Sequence, residues 1–334
     1  MTPIRQTRID HPAAWTSADI GGKEGLMHRM APEHVQALMA VVERTRHKAP
    51  HEITREDASD PVIVQLMTGV RYAIMQGMGA VILSGLDMTA ITLDDYQRIY
   101  WALGTHLGTG AVQSYRGDRI GYVQKEKENP TGRGYLMDIE LRSHCDFHEI
   151  LSLASWRKAP RGGESGVASA LAVHNAIAAT RPELLAPLYE GFHHASSGDA
   201  VSNGKVPIFC EVDGVVSCYY HNLFMVNAAR QMGVSYPPEL QEALDYFVEL
   251  ANSPAIRADF MLEPGEMMFW HNFTVLHSRQ AFDDSEDQKR LLLRLWLNVE
   301  EGRPMAPEFT ARARWMDEAH EAGRAAIDYI KAGD

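Results

Sequence analysis

The stretch SHCDF at residues 143–147 contains the pattern that says most about the fold and chemistry of this chain. His144 and Asp146 lie two positions apart, and on an extended backbone such side chains point to the same side. A third imidazole from a distant part of the chain would complete two histidines and one carboxylate. That set suits non-haem iron(II) oxygen chemistry better than structural zinc, because it leaves three coordination positions open. His148 and Glu149 are further candidate ligands, although the His-Glu-x-x-His spacing of zinc proteases does not occur there.

The third ligand is expected downstream, where two histidines follow an apolar run. Residues 267–270 have the character of a buried strand, and His271 and His277 come after it. An even separation on one strand would put both histidines on the same face, but the turn-forming Asn272 between them makes this parity unreliable. Spacing alone therefore leaves His271 and His277 as alternatives.

Two arginines, Arg290 and Arg294, interrupt an otherwise apolar run that extends to residue 297. Burying a guanidinium in a sheet is costly unless an anion meets it, and the planar fork of arginine can take a carboxylate through two parallel hydrogen bonds. Both side chains would share one face of a strand. The pattern predicts an anchor for a small acid, with an internal ion pair or exposed strand charges as the alternative.

Composition predicts a cytoplasmic protein and does not forbid a small anionic substrate. The formal net charge of −12 over 334 residues argues against a nucleic-acid or anionic-membrane partner. Three cysteines without CxxC pairs fit free thiols in a reducing compartment. No secretory signal and no run of about 18 apolar residues is present. Homo-oligomerisation is compatible with these features but not required by them.

The distribution of patterns predicts one domain over residues 1–334, because no linker long enough to separate two domains occurs. Residues 1–115 are expected to be mostly helical, residues 116–300 to form a strand-rich core with helical insertions, and residues 301–334 to form C-terminal helices. The overall class is therefore α+β.

Individual elements follow from hydrophobic periodicity and end signals, with Asp60 and Thr92 as expected helix caps and Asp213-Gly214 as a hairpin turn. The predicted helices cover residues 32–48, 60–76, 92–103, 172–179, 182–189, 237–252 and, as one or two helices, 307–331. The predicted strands cover residues 79–85, 120–123, 150–156, 166–170, 207–212, 215–220, 260–262, 267–270 and 291–298.

In combination, the candidate metal ligands and the two arginines described above resemble those of the TauD/TfdA family of Fe(II)- and 2-oxoglutarate-dependent dioxygenases. The likeness begins at residues 12–15, includes residues 79–85 and 103–108, and is densest over residues 143–297. It implies a double-stranded β-helix, the jelly-roll or cupin-like fold, with flanking helices. It also implies iron(II), 2-oxoglutarate as co-substrate, and dioxygen.

The resemblance assigns roles to individual positions around the metal. His144, Asp146 and His277 match the iron ligands, so the resemblance, and not the spacing, favours His277. Arg290 matches the arginine that holds the distal carboxylate of 2-oxoglutarate, and Ser165 falls where the family has a hydroxyl residue that assists it.

The resemblance also points to substrate-binding positions. Arg294 matches a position that contacts the acidic group of the substrate in some members, and Phe147 falls at a position that lines the substrate pocket. Gln113 and Tyr115 are further candidates for the lining of that pocket. Cys145 departs from the family, where threonine is frequent, and is expected to face away from the iron.

The activity implied is hydroxylation of an unactivated C–H bond of a small polar or carboxylate-bearing metabolite, such as an amino acid or a natural-product intermediate. Succinate and CO2 would be released from 2-oxoglutarate. The carboxylate of Asp146 favours hydroxylation, because related halogenases replace it with a small residue to make room for chloride. Desaturation or epoxidation with the same cofactors is one alternative, and a non-catalytic metal-binding jelly-roll module is another.

Overall fold

A computed structural model describes residues 4–129, 133–195 and 201–323. Two sheets, one of seven strands and one of four, form the centre of the described structure. The strands are β1 (Met27–Arg29), β2 (Ala80–Ser84), β3 (Thr109–Gly110), β4 (Gly121–Val123), β5 (Leu141–His144), β6 (Ile150–Arg157), β7 (Arg161–Gly162), β8 (Ser165–Ser169), β9 (Phe209–Val212), β10 (Val215–Cys218), β11 (Arg257–Phe260), β12 (Met267–His271), β13 (Val275–Arg279), β14 (Phe282–Asp283) and β15 (Leu291–Asn298).

Helices cover the large sheet and fill the connections. They are α1 (Ser17–Ile20), α2 (Pro32–Arg44), α3 (Pro61–Met75), α4 (Leu93–Gly104), α5 (Ala170–Thr180), α6 (Leu185–Glu190), α7 (Asn222–Met232), α8 (Pro238–Ala251) and α9 (Pro307–Glu321). Short 3-10 turns occur at Gly22–Leu26, Pro50–Glu52, Gly134–Leu136 and Pro182–Leu184. Among the residues described, no helix is long and apolar enough to cross a membrane.

The large sheet has the order β1-β2-β12-β6-β15-β3, with β4 also paired to β15. The small sheet has the order β11-β8-β13-β5, and all its pairings are antiparallel. Side chains from both sheets, including Trp270, Val275 and Trp296, pack into one apolar cluster between them. The histidines and arginines singled out in the sequence lie on or next to strands of these two sheets.

Strand β15 shows why an apolar run carries two arginines. Leu293 and Leu295 alternate outward and pack against the helices of the N-terminal part. Leu292 and Trp296 face inward, into the cluster between the sheets, and Arg294 has the same parity on the strand. Arg290 directly precedes the strand. Both arginines thus reach the space between the sheets.

Helix and turn signals account for most of the predicted boundaries. Asp60 caps α3 by accepting a hydrogen bond from the Val62 N–H, and Thr92 opens α4 with a capping box, as predicted. The hairpin at Asp213-Gly214 is also confirmed, since β9 and β10 pair across it and both turn residues have positive φ (52° and 76°).

The observed elements differ from the prediction in several places. The predicted set does not include α1, α7, β1, β3, β5, β7, β13 and β14, and one predicted strand is shifted. Helix α7 was not predicted, because its N-cap residue His221 makes no side-chain capping bond and no turn signal precedes it. Strand β5 was missed because its sequence, LRSH, lacks an apolar run. The strand predicted at 260–262 is observed earlier, at Arg257–Phe260. The part of the predicted tail helix beyond residue 323 lies outside the described residues.

Candidate metal centre

Three predicted ligands converge at one end of the small sheet. His144 ends β5 and pairs with His277 on β13, so their imidazole rings lie 4.2 Å apart between centroids. The Asp146 carboxylate completes the group, with Oδ1 3.7 Å from His144 Nε2 and Oδ2 3.9 Å from His277 Nε2. Ligand atoms of the three residues all lie within 4.8 Å of one another, which allows them to hold one metal ion.

Asp146 reaches this position by a route that the sequence pattern did not predict. Strand β5 ends at His144, so Asp146 is not on an extended strand. Its backbone is instead held by the Asn272 side chain, which accepts from the Asp146 N–H at 3.0 Å and donates to its carbonyl at 2.8 Å. The Trp296 indole donates to Asp146 Oδ2 at 2.9 Å. Side-chain hydrogen bonds, and not strand alternation, therefore orient the carboxylate.

The alternative ligands are engaged elsewhere. His271 Nε2 lies 3.0 Å from Glu149 Oε1, and the same carboxylate oxygen accepts from the Arg303 backbone N–H at 2.5 Å. His148 Nε2 lies 2.9 Å from Asp317 Oδ1 on α9. The structure thus brings His277, and not His271, to the other two ligands.

The electrostatics of the group favour the protonation states that a metal requires. Burial, together with the neighbouring imidazole of His144, lowers the pKa of His277 to about 3. Burial acts to raise the pKa of the Asp146 carboxyl, but the imidazoles of His277 and His144 and the Arg294 guanidinium together outweigh it and hold this pKa well below its ordinary value. At neutral pH a neutral imidazole therefore faces an ionised carboxylate.

The donor set fits iron(II). Two imidazole nitrogens and one carboxylate oxygen form a facial group, and such a group leaves positions free for a co-substrate and dioxygen. Cys145 contributes no thiolate, because its side chain is buried in the core and its thiol donates to the Cys218 carbonyl at 3.6 Å. As expected, Cys145 faces away from the centre.

The three side chains line a cavity together with Ser165, Phe147, Arg290 and Arg294. Arg290 is almost fully buried, and its Nη1 has no hydrogen-bond partner among the described residues. Burial lowers the pKa of this guanidinium to about 9, with Arg279 contributing, so Arg290 stays cationic at neutral pH. A buried cation with an unsatisfied donor is an anchor for an anion.

Arg294 is oriented by its neighbours. Its Nε and Nη2 donate to the Gln113 side-chain and backbone oxygens at 3.1 and 3.3 Å. Its guanidinium also packs on the rings of Tyr135, at 4.4 Å, and Trp296, at 3.9 Å. A rigid, aromatic-flanked guanidinium lining the same cavity as the metal ligands is suited to recognising an acidic group.

Two of the predicted pocket residues lie next to this cavity and not in it. Gln113 and Tyr115 line a neighbouring, more polar cavity that shares Arg133 and Tyr135 with the metal-side cavity. Gln113 acts on the site indirectly, through Arg294. Tyr115 lines only the neighbouring cavity of the two, and its role in substrate binding stays a prediction.

Several site residues were not identified from the sequence. His221 lines the cavity, 5.4 Å from the His144 ring and 4.0 Å from the Phe224 ring between centroids. Ser278 lines it as well, with a buried hydroxyl that has no partner in the described part of the chain. Trp296 lies on the same face of β15 as Arg294. This shared face is the only feature of the sequence that links Trp296 to the site.

Comparison with sequence families gives one match over most of the chain. The family described as "Taurine catabolism dioxygenase TauD, TfdA family" matches residues 25–296. FR-33289 synthase of Streptomyces rubellomurinus (strain ATCC 31215) is 33% identical over 253 residues, which cover 72% of this chain and 74% of that protein. Taurine hydroxylase-like protein SAT17 of Stachybotrys chartarum (strain CBS 109288 / IBT 7711) is 22% identical over 307 residues, which cover 86% and 79%.

Solved structures with the same fold are similar at low sequence identity. An asparagine oxygenase in complex with Fe(II), hydroxyasparagine and succinate superposes with a TM-score of 0.66 at 14% identity, over 82% of this chain and 93% of that one. The non-haem iron oxygenase OrfP in complex with Fe and alpha-ketoglutaric acid has a TM-score of 0.61 at 14% identity, over 90% and 99%. These likenesses show the fold of mixed helices and sheets.

Proposed function

The chain belongs to the TauD/TfdA family of dioxygenases, and from this membership we propose that it hydroxylates a small, acid-bearing metabolite at the group formed by His144, Asp146 and His277. It is an iron(II)- and 2-oxoglutarate-dependent oxygenase that converts 2-oxoglutarate into succinate and CO2. The observation that carries the proposed site is the convergence of the three side chains, with ligand atoms within 4.8 Å of one another.

His144, Asp146 and His277 would hold the iron. When bound there, iron(II) supplies the activation of dioxygen that the side chains cannot provide themselves. The chain's own contribution is a neutral imidazole and a carboxylate presented in a fixed geometry, with Asn272 and Trp296 holding Asp146 in place. This support comes from strands and buried side chains, which suits a site that must keep its geometry while substrates exchange.

Arg290 would bind the distal carboxylate of 2-oxoglutarate, with Ser165 assisting. Both residues line the metal-side cavity, and Arg290 keeps a buried Nη1 without a partner among the described residues. Arg279 lines the same cavity, and its guanidinium and that of Arg290 lie 5.0 and 5.1 Å from the Phe282 ring. Two cationic side chains near the same aromatic ring favour a dianion such as 2-oxoglutarate in the part of the cavity lined by Arg279 and Arg290.

Arg294 would bind the acidic group of the substrate, and Phe147 would line the substrate side of the cavity. Support comes from the orientation of Arg294 by Gln113, Tyr135 and Trp296. The asparagine oxygenase structure named above contains hydroxyasparagine, which carries a carboxylate. A small molecule with one carboxylate or comparable acid is therefore the proposed substrate class.

The two central sheets are proposed to form a double-stranded β-helix, and the chain a single domain. The packing of both sheets around one apolar cluster supports the first inference. The position of β2 supports the second, because this strand from the N-terminal part lies inside the large sheet, between β1 and β12. The N-terminal part therefore completes the sheet of the core.

The test is aerobic incubation of the protein with Fe(II), ascorbate and 2-oxoglutarate, with succinate as the readout. A panel of amino acids and other small acids should contain compounds that accelerate succinate release, whereas their amides should not. Product mass should rise by one oxygen atom. A product that loses two hydrogens would instead indicate desaturation.

His144→Ala provides the matched control for the site, since it removes one proposed ligand and leaves the other side chains that line the cavity in place. Succinate release is expected to fall to background in this variant. Full turnover by His144→Ala would refute the ligand assignment. Acceleration by amides as strong as by the acids would refute the proposed substrate class while leaving the ligand assignment intact.

A further inference from the structure

Trp296 connects the proposed metal ligand Asp146 to the C-terminal helix. Its fully buried indole donates from Nε1 to Asp146 Oδ2 at 2.9 Å. Both carboxylate oxygens lie close to the histidines, Oδ1 3.7 Å from His144 Nε2 and Oδ2 3.9 Å from His277 Nε2. A carboxylate so placed can bind an ion through one oxygen or through both.

We propose that Trp296 is a positioning residue that keeps Asp146 monodentate, by holding Oδ2 in a hydrogen bond while Oδ1 binds the metal. The inference rests on the proposed assignment of Asp146 as a ligand. Without the indole N–H, Oδ2 is free to enter the coordination sphere. It would then occupy one of the three positions that a co-substrate and dioxygen need.

The indole is itself held in a fixed orientation. The rings of His148 and His320 are nearly parallel to it, at interplanar angles of 17° and 3° and centroid distances of 5.1 and 6.1 Å. The Arg294 guanidinium packs on the same side chain at 3.9 Å. The N–H of Trp296 therefore has little freedom to point anywhere except at Asp146.

Helix α9 supplies much of this support. Asp317 on α9 lies 2.9 Å from His148 Nε2 and accepts from the Asn298 amide at 2.9 Å. His320, also on α9, contacts the Val112 carbonyl through Nδ1 at 3.0 Å. The family match ends at residue 296, so α9 lies outside it. The coordination mode of Asp146 in this chain thus depends on a helix beyond the matched region.

The test counts metal-bound water on the full-length protein loaded with Mn(II), by water-proton relaxation. Wild type is expected to hold three exchangeable waters, and Trp296→Phe, which keeps a ring but removes the N–H, is expected to hold two. Trp270→Phe is the matched control. Trp270 lines the same cavity, but its Nε1 has no partner in the described part of the chain, so the water count should stay at three.

Each outcome decides a separate question. Wild type without Mn(II) at this site would refute the proposed ligand assignment and, with it, the role of Trp296, whereas an unchanged water count in the variant would refute the role of Trp296 alone. Three waters in Trp296→Phe, or a folded variant that no longer binds Mn(II), would overturn the inference. If Trp296→Phe does not fold, as judged by circular dichroism, benzothienylalanine at position 296 keeps the two-ring shape and still lacks the donor. The same drop from three waters to two is then expected.

Discussion

His144 and His277 face each other across two antiparallel strands, β5 and β13, at a ring-centroid distance of 4.2 Å. Strand pairing brings together two imidazoles that are far apart in the sequence. The Asp146 carboxylate lies 3.9 Å from His277, between Oδ2 and Nε2. Pairing of β5 with β13 in the small sheet therefore brings the two histidines together, and loss of either histidine should weaken metal binding.

Replacing His277 with alanine is expected to abolish tight Fe(II) binding. One of the three proposed ligands is lost, and the remaining pair resembles an ordinary surface His–Asp pair. Anaerobic Fe(II) titration by calorimetry measures the effect. His221→Gln is the control, because His221 lines the same cavity but does not belong to the ligand group. Equal loss in both variants would contradict the assignment.

Replacing Arg290 with glutamine should raise the 2-oxoglutarate concentration needed for half-maximal succinate release by about 10–100-fold, the size expected for losing a charge-assisted hydrogen bond. Fe(II) affinity should not change, because Arg290 is not a ligand. An unchanged requirement for 2-oxoglutarate would remove Arg290 from this role.

Replacing Arg294 with glutamine should show the opposite pattern. The KM for the acidic substrate is expected to rise by about 10–100-fold, while the requirement for 2-oxoglutarate stays near that of wild type. Steady-state kinetics with each compound varied in turn separate the two effects. A rise in the 2-oxoglutarate requirement alone would assign Arg294 to the co-substrate.

The metal-free protein should lose stability as the pH falls below about 6.5, the ordinary value for histidine. Burial lowers the pKa of His174 and of His320 to about 4, so the unfolded chain binds protons that the folded chain excludes. Stability is therefore fully present above about pH 6.5 and declines towards the folded pKa. Each such imidazole contributes a loss of about 1 kcal/mol between about pH 7.5 and about pH 5.5.

Urea unfolding at several pH values measures this decline. His174→Phe keeps an aromatic ring among Tyr189 and Phe209, which pack around position 174, but removes one titrating group. Its free energy of unfolding should fall less steeply with decreasing pH than that of wild type. An identical slope would mean that the pKa of His174 is the same in the folded and the unfolded chain.

The sequence predicted the ligand types and the two arginines because these depend on local pattern. His144 and Asp146 stand two residues apart, and the alternation on β15 placed Arg294 on an inward face. The choice of His277 over His271 could not come from spacing, because it depends on which strand pairs with β5. The engagement of His271 by Glu149 is a tertiary contact that no local pattern encodes.

The residues that orient the centre were the least predictable. Asn272 had the character of a turn residue, yet its side chain forms two hydrogen bonds with the Asp146 backbone across the fold. Gln113 was expected in the substrate pocket and instead orients Arg294 from the neighbouring cavity. Such supporting contacts require the sheets to be assembled first.

The expectations of a cytoplasmic location, of no nucleic-acid or membrane partner, and of the oligomeric state stay predictions.

The most direct measurement is an iron-edge anomalous difference map from crystals grown anaerobically with Fe(II). We expect one peak per chain, bonded to His144 Nε2, His277 Nε2 and a single oxygen of Asp146. A peak beside His271 and Glu149, or no peak within bonding distance of all three side chains, would contradict the account.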